Sequence, residues 1–95
     1  MIKQKDVIIR VLEALFPGVT IILFGSRARG THRPTSDIDL ALDTGEPLSF
    51  LQIAQAKNMM EALNVPEKID IVDVRSVNPE LQAIIKKEGV LWKNS

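Results

Sequence analysis

The sequence predicts a small α/β (α+β) domain in which a few strands form one sheet with helices packed against it. Apolar residues at helical spacing alternate along the chain with short β-branched runs, which is typical of a sheet covered by helices. The chain has 95 residues, with neither internal repeats nor linker-like tracts. We therefore expect a single domain spanning residues 1–95.

The first third of the chain predicts a helix, a strand and a helical turn. Apolar residues recur at helical spacing over residues 5–16, until Pro17 and Gly18 end the pattern. The run "TIILF" at residues 20–24 is β-branched and aromatic, which is typical of a short buried strand. Residues 26–29 follow at once and are able to form one helical turn.

The middle of the chain predicts a second strand, "DIDLALD" at residues 37–43, followed by a helix over residues 47–63. One face of this strand carries Ile38, Leu40 and Leu42, and the other carries Asp37, Asp39 and Ala41. The helix has apolar residues at Phe50, Ile53, Ala54, Ala56, Met60 and Leu63, with Leu51 and Met59 widening the stripe. We expect the core to cover this stripe, and its breadth leaves a partner surface as the alternative.

The last third predicts a strand at residues 68–74, a helix and a short closing strand at residues 90–92. Asn78 and Pro79 are a capping residue and a first-turn proline. Gly89 is expected to end the helix in a left-handed conformation. The apolar residues of this helix that should face inward are Leu81, Ile84 and Ile85.

Composition excludes several classes of function. Twelve basic residues balance twelve acidic ones, so strong nucleic-acid binding is not expected, and the three arginines near residue 30 suit a nucleotide better than a polymer. Cysteine is absent, which is compatible with a reducing compartment. The N-terminal segment has charges scattered through it, so it resembles neither a signal peptide nor a membrane span, which predicts a cytoplasmic protein.

So short a chain often needs a second copy or another partner to complete its core, so we expect a homo- or hetero-oligomer.

Two aspartates alternate within an otherwise apolar strand, where their charges cost stability unless a cation offsets them. Residues two apart on a strand share a face and lie about 6.6 Å apart at Cα, so Asp37 and Asp39 can converge on two metal ions about 3.5–4 Å apart. Oxygen ligands favour magnesium. The alternative is that Asp37 caps a turn and Asp39 lies on a solvated face.

A third carboxylate, Asp70, lies in the middle of the third predicted strand. If this strand neighbours the second, Asp70 joins the metal pair and can accept a proton from an attacking hydroxyl. Asp73 points to the opposite face by strand parity and is the second choice, expected as a strand-end or solvated residue. His32 is the only histidine, which excludes a multi-histidine metal site, and we expect it in a solvated loop.

A glycine-serine pair, Gly25 and Ser26, follows the first strand directly. Backbone N–H groups at such a turn point at an anion, and Arg27 or Arg29 could neutralise phosphate charge. The alternative is an ordinary turn with solvated arginines. The spacing of glycines also matches a Walker A loop, but Thr31 stands where that loop needs its lysine, which argues against a P-loop hydrolase.

Together, "FGSRARG", "SDIDLAL" and "KIDIVDV" resemble the nucleotidyltransferases of the DNA polymerase beta superfamily, in particular its minimal nucleotidyltransferase (MNT) branch, across residues 21–74. The resemblance implies a small mixed sheet with helices on one side. It also implies that Gly25 and Ser26 hold the terminal phosphates of ATP, and that Asp37, Asp39 and Asp70 are the catalytic, metal-binding carboxylates for two Mg²⁺ ions.

The family's minimal members are commonly encoded beside HEPN-domain toxins, so the resemblance further implies an antitoxin that transfers AMP from ATP to a tyrosine of a HEPN toxin. Two alternatives remain. One is an antitoxin that neutralises its partner by binding alone, and the other is a small-molecule nucleotidyltransferase like those that modify aminoglycosides. The latter enzymes usually carry an extra substrate domain, which is not expected here.

Overall fold

The computed structural model describes residues 2, 4–31, 33 and 36–94. Helices and strands follow each other in the predicted order. The elements are α1 (Lys5–Leu15), β1 (Thr20–Phe24), α2 (Ser26–Arg29), β2 (Ile38–Asp43), α3 (Phe50–Ala62), β3 (Ile69–Asp73), α4 (Pro79–Glu88) and β4 (Val90–Lys93). His32, Pro34 and Thr35, which belong to the predicted loop, lie outside the described residues.

The four strands form one mixed sheet in the order β3-β2-β1-β4. β1 is antiparallel to both β2 and β4, whereas β2 and β3 are parallel. The parallel pair is joined through α3, as a parallel connection requires a crossover. This topology confirms the mixed sheet with helices packed on it.

Helices cover both faces of the sheet. On one face, α1 and α3 bury Ile8, Leu12 and Met60 against the larger apolar cluster of the sheet. On the other face, Ile85 of α4 packs with Phe24 and Ala41 in a smaller apolar cluster. The expectation that all helices lie on one side is therefore wrong, because the second face of β1 is apolar as well and needs a cover.

Helix α3 is less covered than its apolar stripe predicts. Phe50 is 86% exposed, Leu51 75% and Met59 41%, while Ala56 and Met60 are buried. A stripe this broad exceeds the part of a helix surface that one sheet can contact. The expectation of a fully covered helix was wrong, and its first turn presents apolar side chains to solvent.

Two details of α4 also differ from expectation. Ile84 is 43% exposed, whereas Ile85, one position further round the helix, is 1% exposed. Gly89 ends the helix with φ −65°, not in the left-handed region. A Cβ at Gly89 would overlap the Ile85 carbonyl oxygen and a methyl group of Ile22, so glycine is needed for close packing. The cap by Asn78 is confirmed, since its side chain accepts a hydrogen bond from the Leu81 N–H at 2.8 Å.

Within the part of the chain that the structure describes, every helix is too short or too polar to cross a membrane.

Candidate active site

The predicted carboxylates meet on the face of the sheet that α4 partly covers. β2 and β3 are hydrogen-bonded neighbours, and Asp39 pairs with Asp70 in their parallel register. Since paired residues of adjacent strands project to the same face, about 4.8 Å apart along the hydrogen-bonding direction, these two side chains are neighbours. Asp37 precedes the strand and is exposed, while Asp39 and Asp70 are half-buried.

The glycine-serine turn reaches the same place from β1. Phe24, the last residue of β1, pairs with Asp39. Gly25 follows with φ 78° and ψ −157°, a conformation that is essentially restricted to glycine. A Cβ at Gly25 would overlap the Asp39 carboxylate, so both backbone conformation and space require glycine here. The turn and the acidic strand therefore lie in direct contact.

Helix α2 begins at Ser26, as predicted, and no described side chain caps its N terminus. The N–H groups of Ala28 and Arg29 donate to the Gly25 carbonyl oxygen at 3.1 Å each, which closes the helical turn. An N terminus without a side-chain cap leaves backbone donors for an external acceptor, and the positive end of the turn favours an anion.

Asp39 lies in an environment that disfavours its negative charge. Burial raises its pKa above the ordinary value of 3.8, and the nearby charges of Asp70 and Asp37 raise this pKa further, while Arg29 lowers it. Three carboxylates that repel one another on one face form a site of negative potential. Such a site is stabilised by a cation.

The donor set of Asp37, Asp39 and Asp70 fits magnesium, which prefers carboxylate oxygens. Across the described residues, however, no group of three or more acidic, histidine or cysteine side chains is already arranged to hold a metal ion. The structure therefore places the three carboxylates as neighbours, but they are not already arranged as the ligands of a metal ion.

The two candidate phosphate-binding arginines differ in their surroundings. Arg29 is 45% exposed at its side chain and forms an ion pair with Glu88 at 3.3 Å. Arg27 is only 7% exposed at its side chain and donates two hydrogen bonds to the Ser36 carbonyl oxygen, at 3.2 and 3.0 Å. Of these two side chains, Arg29 is the more accessible from solvent.

Asp73 lies away from this cluster, on the face covered by α3. It is 4% exposed and accepts hydrogen bonds from the N–H groups of Leu48 and Arg75 and from the Ser76 hydroxyl. The expectation of a solvated Asp73 was wrong, although its position at the strand end and its opposite parity are confirmed. Its oxygens tie β3 to the segment before α3.

Sequence reasoning missed Glu67, whose Oε2 lies 3.7 Å from Arg27 Nη2. Its Oε1 is buried and has no hydrogen-bond partner among the described residues. A glutamate in a short turn between a helix and a strand normally faces solvent, so no pattern in the chain could have indicated this contact.

The family model described as "Polymerase beta, Nucleotidyltransferase" matches residues 6–95. A Haemophilus influenzae protein named "Probable protein adenylyltransferase MntA" is 33% identical over 92 residues, which cover 95% of this chain and 81% of the relative. A Shewanella oneidensis protein named "Protein adenylyltransferase MntA" is 34% identical over 94 residues, covering 94% of this chain and 65% of the relative.

Solved structures show the same architecture. A chain of the crystal structure of a toxin-antitoxin with AMP-PNP superposes with a TM-score of 0.81 at 28% identity, covering 96% of this chain and 73% of that one. A chain described as a "putative minimal nucleotidyltransferase" superposes with a TM-score of 0.71, also at 28% identity, covering 92% of this chain and 87% of that one.

Proposed function

Since the chain belongs to the polymerase beta nucleotidyltransferase family, we propose that it transfers AMP from ATP to a tyrosine hydroxyl of a partner HEPN toxin and thereby acts as the antitoxin. The reaction depends on magnesium. An ATP-dependent reaction and a chain without cysteine both suit the cytoplasm.

One observation carries this proposal: the Gly25 turn, Asp39 and Asp70 converge on one point of the sheet. Gly25 contacts the Asp39 carboxylate, and Asp39 pairs with Asp70 on the neighbouring strand. A turn suited to an anion beside a cluster of acids is the arrangement expected for a polyphosphate held together with divalent cations.

The relatives support the same reaction. Two of them are named protein adenylyltransferases, and a structural neighbour is a toxin-antitoxin complex with AMP-PNP, a nucleoside triphosphate analogue. These proteins support AMP as the transferred group, rather than another nucleotide. They also support a toxin as the acceptor.

In the proposed reaction, Gly25 and Ser26 hold the terminal phosphates, so that the α-phosphorus faces the carboxylates. Asp37, Asp39 and Asp70 would hold two magnesium ions, which when bound stabilise charge on the attacking and leaving oxygens. Asp70 accepts the proton of the tyrosine hydroxyl while the tyrosine oxygen forms a bond to the α-phosphorus. The bond from phosphorus to pyrophosphate breaks, leaving AMP joined to the toxin.

The test uses ATP labelled at its α-phosphate, magnesium, this protein and a purified HEPN toxin as the partner. We expect label on the toxin, and none when the label is on the γ-phosphate. The double variant Asp37→Asn/Asp39→Asn should lose transfer. Asp43→Asn, an acid at the opposite end of β2 that pairs with Arg75 at 2.8 Å, is the matched control and should retain it. Transfer that persists in the double variant would refute the proposal.

A second candidate function is neutralisation by binding alone. The exposed Phe50 and Leu51 on α3 favour it, because apolar side chains at the surface are common at protein interfaces. The same double variant separates the two candidates. If it still neutralises the toxin in cells although transfer is lost, binding alone is sufficient.

A further inference from the structure

We propose that Arg27 and Glu67 are positioning residues that fix Asp37 and the start of β2, the strand that carries Asp39, and that Arg27 acts on this segment instead of on the nucleotide. This inference rests on the proposed function, because the strand is taken to carry the catalytic acids. The Arg27 clamp is defined here as the Arg27 side chain, the Ser36 carbonyl and the Glu67 carboxylate.

The clamp is built from a buried guanidinium that is committed to protein groups. Nε and Nη2 of Arg27 donate to the same carbonyl oxygen, that of Ser36, at 3.2 and 3.0 Å. Nη2 also lies 3.7 Å from Glu67 Oε2, and the two side chains are 7% and 17% exposed. The planar fork of arginine fixes direction as well as distance, which a lysine ammonium does not.

Three segments of the site meet at this clamp. Arg27 belongs to α2, the turn proposed to hold phosphate. Ser36 directly precedes Asp37; its hydroxyl oxygen accepts a hydrogen bond from the Arg33 N–H at 2.8 Å, and its own N–H donates to the Arg33 carbonyl oxygen at 2.9 Å. Glu67 precedes β3, and the next residue, Lys68, accepts a hydrogen bond from the Ile38 N–H at 2.8 Å. A shift of the clamp would therefore move the phosphate turn, Asp37 and the start of β3 relative to one another.

The energetics of the buried pair between Arg27 and Glu67 indicate that it positions neighbouring segments more than it stabilises the fold. In a buried ion pair, the attraction between the charges offsets little more than the free-energy cost of removing both charges from water. In addition, Glu67 Oε1 has no hydrogen-bond partner among the described residues. Apolar side chains of similar size would fill the same space at no greater cost. What they could not supply is a directed pair of hydrogen bonds to the residue before Asp37.

The contrast with Arg29 separates the roles of the two arginines. Arg29 lowers the pKa of Asp39, and its side chain is 45% exposed and pairs with the half-buried Glu88, so a phosphate can reach it. The Arg27 side chain is only 7% exposed and two of its N–H groups already donate to Ser36, so a phosphate in solvent has little access to it. We therefore expect substitutions of Arg29 to weaken ATP binding and substitutions of Arg27 to slow the chemical step.

The experiment compares Arg27→Lys and Glu67→Gln with Arg29→Lys in the full chain. Arg27→Lys keeps the positive charge but loses the fork, and Glu67→Gln keeps the volume but loses the negative charge. Steady-state transfer to the toxin gives kcat and KM for ATP. Two measurements need no reaction: Mn²⁺ binding followed by electron paramagnetic resonance, and amide hydrogen exchange at Ile38.

For Arg27→Lys and Glu67→Gln we expect kcat to fall about 10–100-fold with KM for ATP nearly unchanged, and Mn²⁺ binding to weaken, as for other residues that orient metal ligands. Exchange at Ile38 should become faster. For Arg29→Lys we expect a higher KM and unchanged exchange at Ile38. Thermal unfolding of each variant shows whether it is folded at the assay temperature.

The proposal is overturned if Arg27→Lys raises KM for ATP while Mn²⁺ binding and Ile38 exchange stay at their unsubstituted values, since Arg27 would then be a nucleotide ligand. It also fails if Glu67→Gln changes none of the measured quantities. If the unsubstituted protein transfers no nucleotide, the proposed function fails, and Mn²⁺ binding with hydrogen exchange still decides whether the clamp positions the strand.

Discussion

Asp39 is a carboxylate whose ionised form is disfavoured by the surrounding fold. Its pKa is raised because burial and the charges of Asp70 and Asp37 disfavour the ionised form. The folded state then binds the Asp39 proton more tightly than the unfolded state does. Stability contributed by this group is therefore present below the ordinary pKa of 3.8 and is lost as pH rises through the raised pKa.

We expect Asp39→Asn to raise the melting temperature at neutral pH by roughly 2–6 °C, which corresponds to no more than about 1 kcal/mol in a domain of this size. The gain should disappear below pH 3.8, where Asp39 is protonated in both states. Millimolar magnesium should stabilise the unsubstituted protein and leave the variant unchanged. Thermal scans by circular dichroism at several pH values measure this, and a loss of stability at neutral pH would contradict it.

Glu88 holds Arg29 in an exposed ion pair, with Arg29 Nη1 and Glu88 Oε2 3.3 Å apart. A phosphate at the α2 turn has to compete with this carboxylate for Arg29. Exposed pairs contribute about 0.2–1 kcal/mol, so Glu88→Gln should tighten AMP-PNP binding by about 1.4- to 5-fold at low salt and less at high salt. Calorimetric titration checks this against Glu80→Gln, at the other end of α4. Weaker binding would mean that Glu88 orients Arg29 for the nucleotide.

At the scale of elements, Asp73 joins the end of β3 to the segment that leads into α3. Its Oδ2 accepts from the Leu48 N–H at 2.8 Å and from the Ser76 hydroxyl at 2.7 Å. Asp73→Ala should lower the free energy of unfolding by about 2–4 kcal/mol, because buried donors lose a charged acceptor. Asp43→Ala, which removes an exposed ion pair, should cost at most about 1 kcal/mol. Urea unfolding measures both, and equal losses would contradict the assignment.

Helix α3 has one buried face and one exposed apolar face. Met60 is 3% exposed and Leu51 is 75% exposed. Met60→Ala should cost about 2–5 kcal/mol by leaving a cavity, whereas Leu51→Ala should stay within about 0.5 kcal/mol. Chemical unfolding of both variants tests this. A large loss for Leu51→Ala would show that the exposed face is covered in the isolated protein, for instance by a second copy.

At the scale of the whole molecule, the balanced charge determines which partners can be held by electrostatics. Twelve basic and twelve acidic residues leave no net attraction for a polyanion, and Arg27 is occupied by protein groups. We expect no change in the fluorescence anisotropy of a labelled DNA duplex at physiological salt with protein up to about 100 µM. Salt-dependent binding below this concentration would contradict the expectation and indicate a nucleic-acid acceptor.

Much of the fold followed from local patterns. The strand at residues 20–24 and the cap at Asn78 are read from short-range propensities, and their positions agree with the structure within a residue or two. Burial was harder to predict, since Ile84 and Phe50 have the chemistry of core residues and still face solvent. Periodicity defines a stripe on a helix, but the number of layers packed against that helix decides how much of the stripe is buried.

The sequence by itself determined the order of the elements and the alternation that places Asp37 and Asp39 on the polar side of β2, because backbone geometry and side-chain parity are local properties. Only the tertiary structure decided that β3 pairs in parallel with β2, which sets Asp70 beside Asp39. It also decided that Arg27 meets Ser36 and Glu67. The β2–β3 pairing and the contact between Arg27 and Glu67 join residues far apart in the chain, and such partners follow from packing that no local pattern encodes.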